Sequence, residues 1–132
     1  VQSCLVGMER VVVRTAEYIT TDRVKGVYPF RKHPDLELGA FQRYWWHTHG
    51  PIAALTEEAL SYVQIHSLAD SYEAVNPAYD GITEISWPDI EAAERAIASR
   101  QMREDQGGDA TNFVDIESVA LFMAKEEVII EP

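Results

Sequence analysis

Residues 36–52 read LELGAFQRYWWHTHGPI, and the first part of this stretch has helical periodicity. From Leu36 to His49, the apolar or aromatic positions Leu38, Phe41, Trp45 and His49 are spaced three, four and four apart. At about 100° per residue they fall within about 80° of arc, so they share one face of a helix. His47 points roughly the opposite way. Gly50-Pro51 is expected to end or kink the helix, because proline disfavours the helical conformation before it and supplies no amide donor. A short second turn is expected over Ile52–Leu60. The turn Lys32-His33-Pro34-Asp35 precedes the helix.

Strands flank this helix on both sides. Val24–Phe30 (VKGVYPF) reads as the first core strand, with Pro29 near its end, where a missing donor is tolerated. Ser61–Leu68 (SYVQIHSL) alternates: Tyr62, Gln64 and His66 share one face, Val63 and Ile65 the other. Residues 69–79 form a loop. Asp80-Gly81 then opens a third strand, Ile82–Trp87, with Ile82, Glu84 and Ser86 facing away from Thr83, Ile85 and Trp87. Pro88-Asp89 starts a second helix, whose stripe is Ile90, Ala93 and Ile97 and which runs to about Arg100. Gln106-Gly107-Gly108-Asp109 should break the chain, and Thr111–Asp115 can form a brief turn. Ser118–Ile130 is mostly β-prone and reads as the last strand, although Ala120–Lys125 could also be helical. Before all this lies a β-branched run, Glu9–Ile19, read as a strand or an ordered extended arm. The expected division is an N-terminal arm or extra strand over 1–23 and one domain over 24–132. The order β-α-β-β-α-β is the ferredoxin-like pattern, an α+β fold with a four-stranded antiparallel sheet and both helices on one face. The bare face needs a cover, and a second copy of the chain is the simplest one.

Composition narrows the functions. The 132 residues are 46% hydrophobic and 25% charged, as in an ordinary globular domain. Asp and Glu number 22 against 11 Lys and Arg, for a formal charge of −11, so a phosphate backbone or an anionic membrane surface would be repelled. The single cysteine, Cys4, cannot form an intramolecular disulfide, and a reducing, cytoplasmic setting is the expectation. No apolar run approaches the roughly 20 residues of a membrane span.

The segment from Phe41 through Tyr44-Trp45, three residues, and then His49-Gly50-Pro51-Ile52 resembles the EthD-family signature. Tyr79-Asp80-Gly81-Ile82-Thr83-Glu84-Ile85 is similar to that family's third strand, and Phe113-Val114-Asp115 to its short motif before the final strand. The resemblance runs from about Val24 to Ile130. It implies a dimeric α+β barrel, with two sheets facing each other, and as a rule no metal or organic cofactor. Members and neighbours include proteins of ether degradation and enzymes that dehydrate, cyclise or oxidise aromatic polyketide-like compounds. The stretch before Val24 is longer than a minimal member needs and resembles the linker before the second half of a tandem member.

Within this frame His49 is the first candidate for chemistry. A buried imidazole beside aromatic surface can move protons near neutral pH; the plainer reading is a histidine interacting with the helix end. Glu84 and His66, on separate strands, are candidates to orient it if their faces meet it; otherwise they face a dimer interface or solvent. Tyr44 and Trp46 can line a pocket for a flat apolar ligand, while Trp45 reads as core. Asp115 is expected to cap the turn before the last strand, and His33 and His47 to be solvated. His47 and His49, two apart, lie on different faces of a helix, and no metal, nucleotide or serine-hydrolase motif is present. The reading is a cofactor-free acid/base enzyme of dehydratase or cyclase type acting on a small hydrophobic, aromatic or polyketide-like molecule. The alternative is a non-catalytic small-molecule-binding or assembly module of the same fold. A closed aromatic cavity with His49 exposed to it favours the enzyme; a filled core with His49 bonded to backbone favours the module.

Overall fold

A computed structural model describes residues 5–14, 22–73, 77–127 and 129–130. Cys4 and the 15–19 end of the expected N-terminal strand fall outside these. The sheet is antiparallel. Its strands are β1 (Gly7–Arg14), β2 (Val24–Lys32), β3 (Ser61–Ser67), β4 (Gly81–Trp87), β5 (Val114–Asp115) and β6 (Phe122–Ala124). Their order is β1-β3-β4-β2, with β5 and β6 both pairing with β2. The four strands β3-β4-β2-β6 are the ferredoxin-like sheet. β1 extends it by pairing with β3 from Gly7↔Ser67 to Arg14↔Ser61, with a bulge between Val11 and Val13.

Paired residues of an antiparallel ladder project to the same face. The β2–β4 register sets Tyr28 opposite Thr83 and Val24 opposite Trp87, and the β3–β4 register sets Tyr62 opposite Ile85. These residues share one face, as the alternation in the sequence requires, and it is the face the helices cover. Val27, Val63, Ile65, Ile82 and Glu84 take the other face. The helix side holds two groups of buried side chains, one around Tyr62, Ile85, Trp87 and Ala93, the other around Phe30, Phe41, Trp45 and Phe113.

The first helix departs from expectation at Gly50-Pro51. It begins as α1 (Leu38–Tyr44), widens into a π-turn over Trp45–His49 and resumes as α2 (Gly50–Ala53). The proline therefore does not end it. A wide turn carries one extra residue, which removes the clash a proline makes with the carbonyl one turn back. The second helix starts as α3 (Ile90–Ala98), capped by the Asp89 carboxylate accepting from the amide of Ala92 at 2.8 Å. It breaks at Ser99, then continues through a second π-turn at Gln101–Gln106 into α4 (Gly107–Ala110). The expected break at Gln106–Asp109 is thus helical. Two glycines lower helix propensity, but the tertiary contacts of Gln106 outweigh this: its amide reaches Thr56 Oγ1 at 2.7 Å and Gln101 Oε1 at 2.8 Å. The expected last strand, Ser118–Ile130, shrinks to Phe122–Ala124, and Ile116–Ser118 is a short 3₁₀ turn.

Candidate functional site

His49 ends the first π-turn and is buried. Its Nδ1 lies 2.8 Å from Asp109 Oδ2. The other carboxylate oxygen, Oδ1, accepts the Tyr44 hydroxyl at 2.6 Å and the Asn112 amide at 3.4 Å, and the same amide reaches the Tyr44 oxygen at 3.2 Å. Burial pushes the His49 imidazole below its usual range, although Asp109 pulls the other way through its hydrogen bond and charge. Burial pushes the Asp109 carboxyl up, but the hydrogen bonds from Tyr44 and His49 outweigh it and hold the group below the usual carboxylate range. The Asp109 bond raises the Tyr44 hydroxyl.

The other expected residues lie elsewhere. His66 stacks on Trp45 with ring centroids 4.3 Å apart, and its Nε2 pairs with Gln64 Oε1 at 2.7 Å. Burial, and then the nearby charge of Arg10, push His66 down to about 4. Gln64 also donates to the Trp45 carbonyl at 3.0 Å. Trp46 lies under the Arg10 guanidinium, 5.2 Å from the ring centre. Glu84 is on the opposite face of the sheet, 3.5 Å from Lys25 Nζ, so it does not meet His49. The alternation rule had separated Glu84 from the Thr83 face, and the helices sit on the Thr83 side. Asp115 does not cap through its side chain; the Ser118 hydroxyl instead bonds the Asp115 carbonyl at 2.6 Å. His33 accepts the Asp35 amide at 3.1 Å, and His47 is exposed.

Between the sheet and the helices is a cavity of about 310 Å³. Its walls include Tyr28, Phe30, Trp45, Tyr62 and Phe113, with Thr83, Ile85 and Ala110 between them. Tyr44, Trp46 and His49 are not among the lining residues. His49 lies against the cavity wall at Phe113, whose ring centre is 4.8 Å from its own. Neither of the two arrangements set out for His49 is met as written. The cavity is aromatic, but the imidazole does not face it; and the imidazole is bonded to a carboxylate, not to backbone. Asp109 escaped the sequence reading because its partners, His49 and Tyr44, lie 60 and 65 residues away. The one local signal was the Asp109–Asn112 spacing of three, a single turn of helix. Among the described residues no cluster of three or more His, Cys, Asp or Glu side chains could hold a metal ion. No helix formed by those residues is long and apolar enough to cross a membrane.

The EthD domain model matches residues 33–117, well over half of the chain, and the chain belongs to that family. Solved structures agree on the fold. An EthD-family protein of Bacillus halodurans C-125 is 17% identical with a TM-score of 0.64, over 80% of this chain and 99% of the other. A dimeric protein of unknown function and ferredoxin-like fold from Bacteroides fragilis NCTC 9343 is 7% identical with a TM-score of 0.60, over 80% and 98%. SnoaB, a cofactor-independent oxygenase of Streptomyces nogalater, is 15% identical with a TM-score of 0.53, over 84% and 100%. No curated protein sequence matches the chain.

Proposed function

We propose that this chain, as a homodimer, binds a small hydrophobic, flat molecule in the cavity and that His49 serves as its acid/base residue. The reaction class is cofactor-free proton transfer of the dehydratase or cyclase kind. The observation that carries the reading is the cavity itself: an open cleft of about 310 Å³ lined mostly by apolar side chains, five aromatic rings among them, a surface suited to ring systems. Apart from the exposed Arg103 the lining holds no charged side chain, which favours a ligand with an uncharged, apolar body. His49 supports the catalytic part, as a buried imidazole one aromatic ring from the ligand space. The likeness to SnoaB, which is named a cofactor-independent oxygenase, adds that this fold can host chemistry on a small molecule without a cofactor.

One observation favours a second reading. Phe113 lies against His49 and forms part of the wall, so contact between imidazole and ligand requires that ring to shift. Under this reading the chain binds its ligand without transforming it. Trp45 fluorescence and native mass spectrometry with a panel of neutral aromatic ligands test the binding that both readings share; a panel that never binds would remove both. The variant His49→Gln separates them on any ligand that is turned over. Turnover should fall by about 10²–10⁴ with binding retained. Undiminished turnover in His49→Gln would end the catalytic assignment.

A further inference from the structure

The structure assigns Asp109 as the positioning residue of His49: its carboxylate fixes the imidazole as the Nδ1–H tautomer and leaves Nε2 as the proton acceptor. This rests on the reading of His49 as the acid/base residue and sharpens it, since the imidazole is then poised to take a proton first.

A carboxylate has no proton to give, so the contact between Asp109 Oδ2 and His49 Nδ1, at 2.8 Å, requires the proton to sit on Nδ1. The neutral ring then carries its lone pair on Nε2. Asp109 stays ionised because its second oxygen is already engaged by Tyr44, at 2.6 Å, and by Asn112, at 3.4 Å. The side chains are nearly closed to solvent, at 6% exposure for His49 and 13% for Asp109. A proton taken up at Nε2 gives an imidazolium beside that carboxylate, and the ion pair offsets part of the desolvation of the new charge. The proton then returns to the product or to water. Tyr44, which the sequence suggested as a ligand contact, holds the carboxylate instead.

His49 comes from one π-turn and Asp109 from the helix that follows the other. Such turns shift the helical phase, and they recur at functional sites. The groups facing the His49 ring are Asp109, Phe113 and, through the carboxylate, Tyr44 and Asn112.

The test is imidazole nitrogen NMR on the intact chain labelled at histidine, with His49→Gln identifying the signal. Above its pKa, wild-type His49 should show a protonated Nδ1 and a bare Nε2. In Asp109→Asn the neutral ring should move toward the Nε2–H form, and its titration midpoint should fall as the carboxylate is lost. Tyr44→Phe, at a half-buried position, guards against a variant that fails to fold. It should keep the Nδ1–H form while the midpoint rises, because the carboxylate loses a donor. A wild-type ring in the Nε2–H form overturns the assignment without any variant, and so does an Asp109→Asn spectrum identical to wild type. These spectra need no ligand. A wrong tautomer therefore removes the role of Asp109 even if turnover is found, whereas missing turnover removes the acid/base reading and leaves the tautomer assignment standing.

Discussion

Gly81 opens β4 directly beneath Trp45, and Gly81→Ala should expose how tightly that ring is held. A Cβ added at Gly81 would sit 2.6 Å from Trp45 Cζ3, 2.8 Å from Cη2 and 3.3 Å from Phe30 Cε2. Carbon atoms rest about 3.5–4.0 Å apart, so the indole would have to retreat by about 1 Å. Its one open side is the cavity it helps to wall, and elsewhere it is packed. Trp45 is 1% exposed and sits among Phe30, Phe41 and His66, with ring centres 5.0, 5.5 and 4.3 Å away. Overpacking of this kind costs about 1–3 kcal/mol, offset by about 0.5–1 kcal/mol because alanine orders more easily than glycine in a strand. Trp45→Ala alone should cost about 3–5 kcal/mol. With the indole gone the added methyl has room, so the double variant should be no less stable than Trp45→Ala. The assay is urea unfolding of all four proteins, read as a double-mutant cycle. Costs that add to within about 0.5 kcal/mol would refute the claimed contact.

Two further outcomes follow from other parts of the molecule. Ile82 lies on the sheet face away from the helices, and Ile82→Lys should convert a homodimer into monomers with secondary structure intact, read by sedimentation at micromolar concentration. A wild-type chain that sediments as a monomer would reject the dimer outright. Burial, with Arg10 adding to it, places the folded pKa of His66 at about 4, below the ordinary 6.5. The unfolded chain therefore binds the proton more readily, and the stability from this group is full above 6.5 and lost as pH falls toward 4. At about 1.4 kcal/mol per pH unit the loss is at most roughly 3 kcal/mol. Urea midpoints at pH 7 and 4.5 should fall less steeply in His66→Gln than in wild type, and equal slopes would contradict the buried, neutral state.

The parts legible in the sequence were those governed by local periodicity. The alternation in β3 and β4 placed Tyr62 and Gln64, and Ile85 and Trp87, on the faces they occupy. The stripe Leu38, Phe41, Trp45, His49 marked the inward side of the first helix, where Phe41, Trp45 and His49 are all buried. The misreadings came where tertiary contacts override local signals. Gly50-Pro51 and Gly107-Gly108 both look like helix ends, yet each follows a wide turn that keeps the helix going. β6 is short because the chain from Ile116 turns at Ser118 instead of extending, held by the Ser118 hydroxyl bonded to the Asp115 carbonyl and receiving the Arg31 amide at 2.8 Å. The site was harder still. Its carboxylate comes from the far end of the chain, so no spacing rule could pair it with His49. Glu84 was the natural substitute only while the side of the sheet on which the helices pack was unknown.

The π-turn at Trp45–His49 also bears on how the length of this chain can vary. A turn of this kind stores one residue, so deleting a residue there could restore ordinary helix without rotating what lies on either side. Pro51 stands against that deletion, because in the ordinary helix of the shortened chain its ring would strike the carbonyl of Trp46, then four residues before it. Insertion and proline are therefore interlocked, and each is tolerable only while the other remains. A chain shortened at Thr48 should melt well below the parent and recover when Pro51→Ala is added; failure to recover would break the link. Loss of residues by descent would accordingly have to pass through the proline first, which makes Pro51 the guardian of the wide turn that delivers His49 to Asp109.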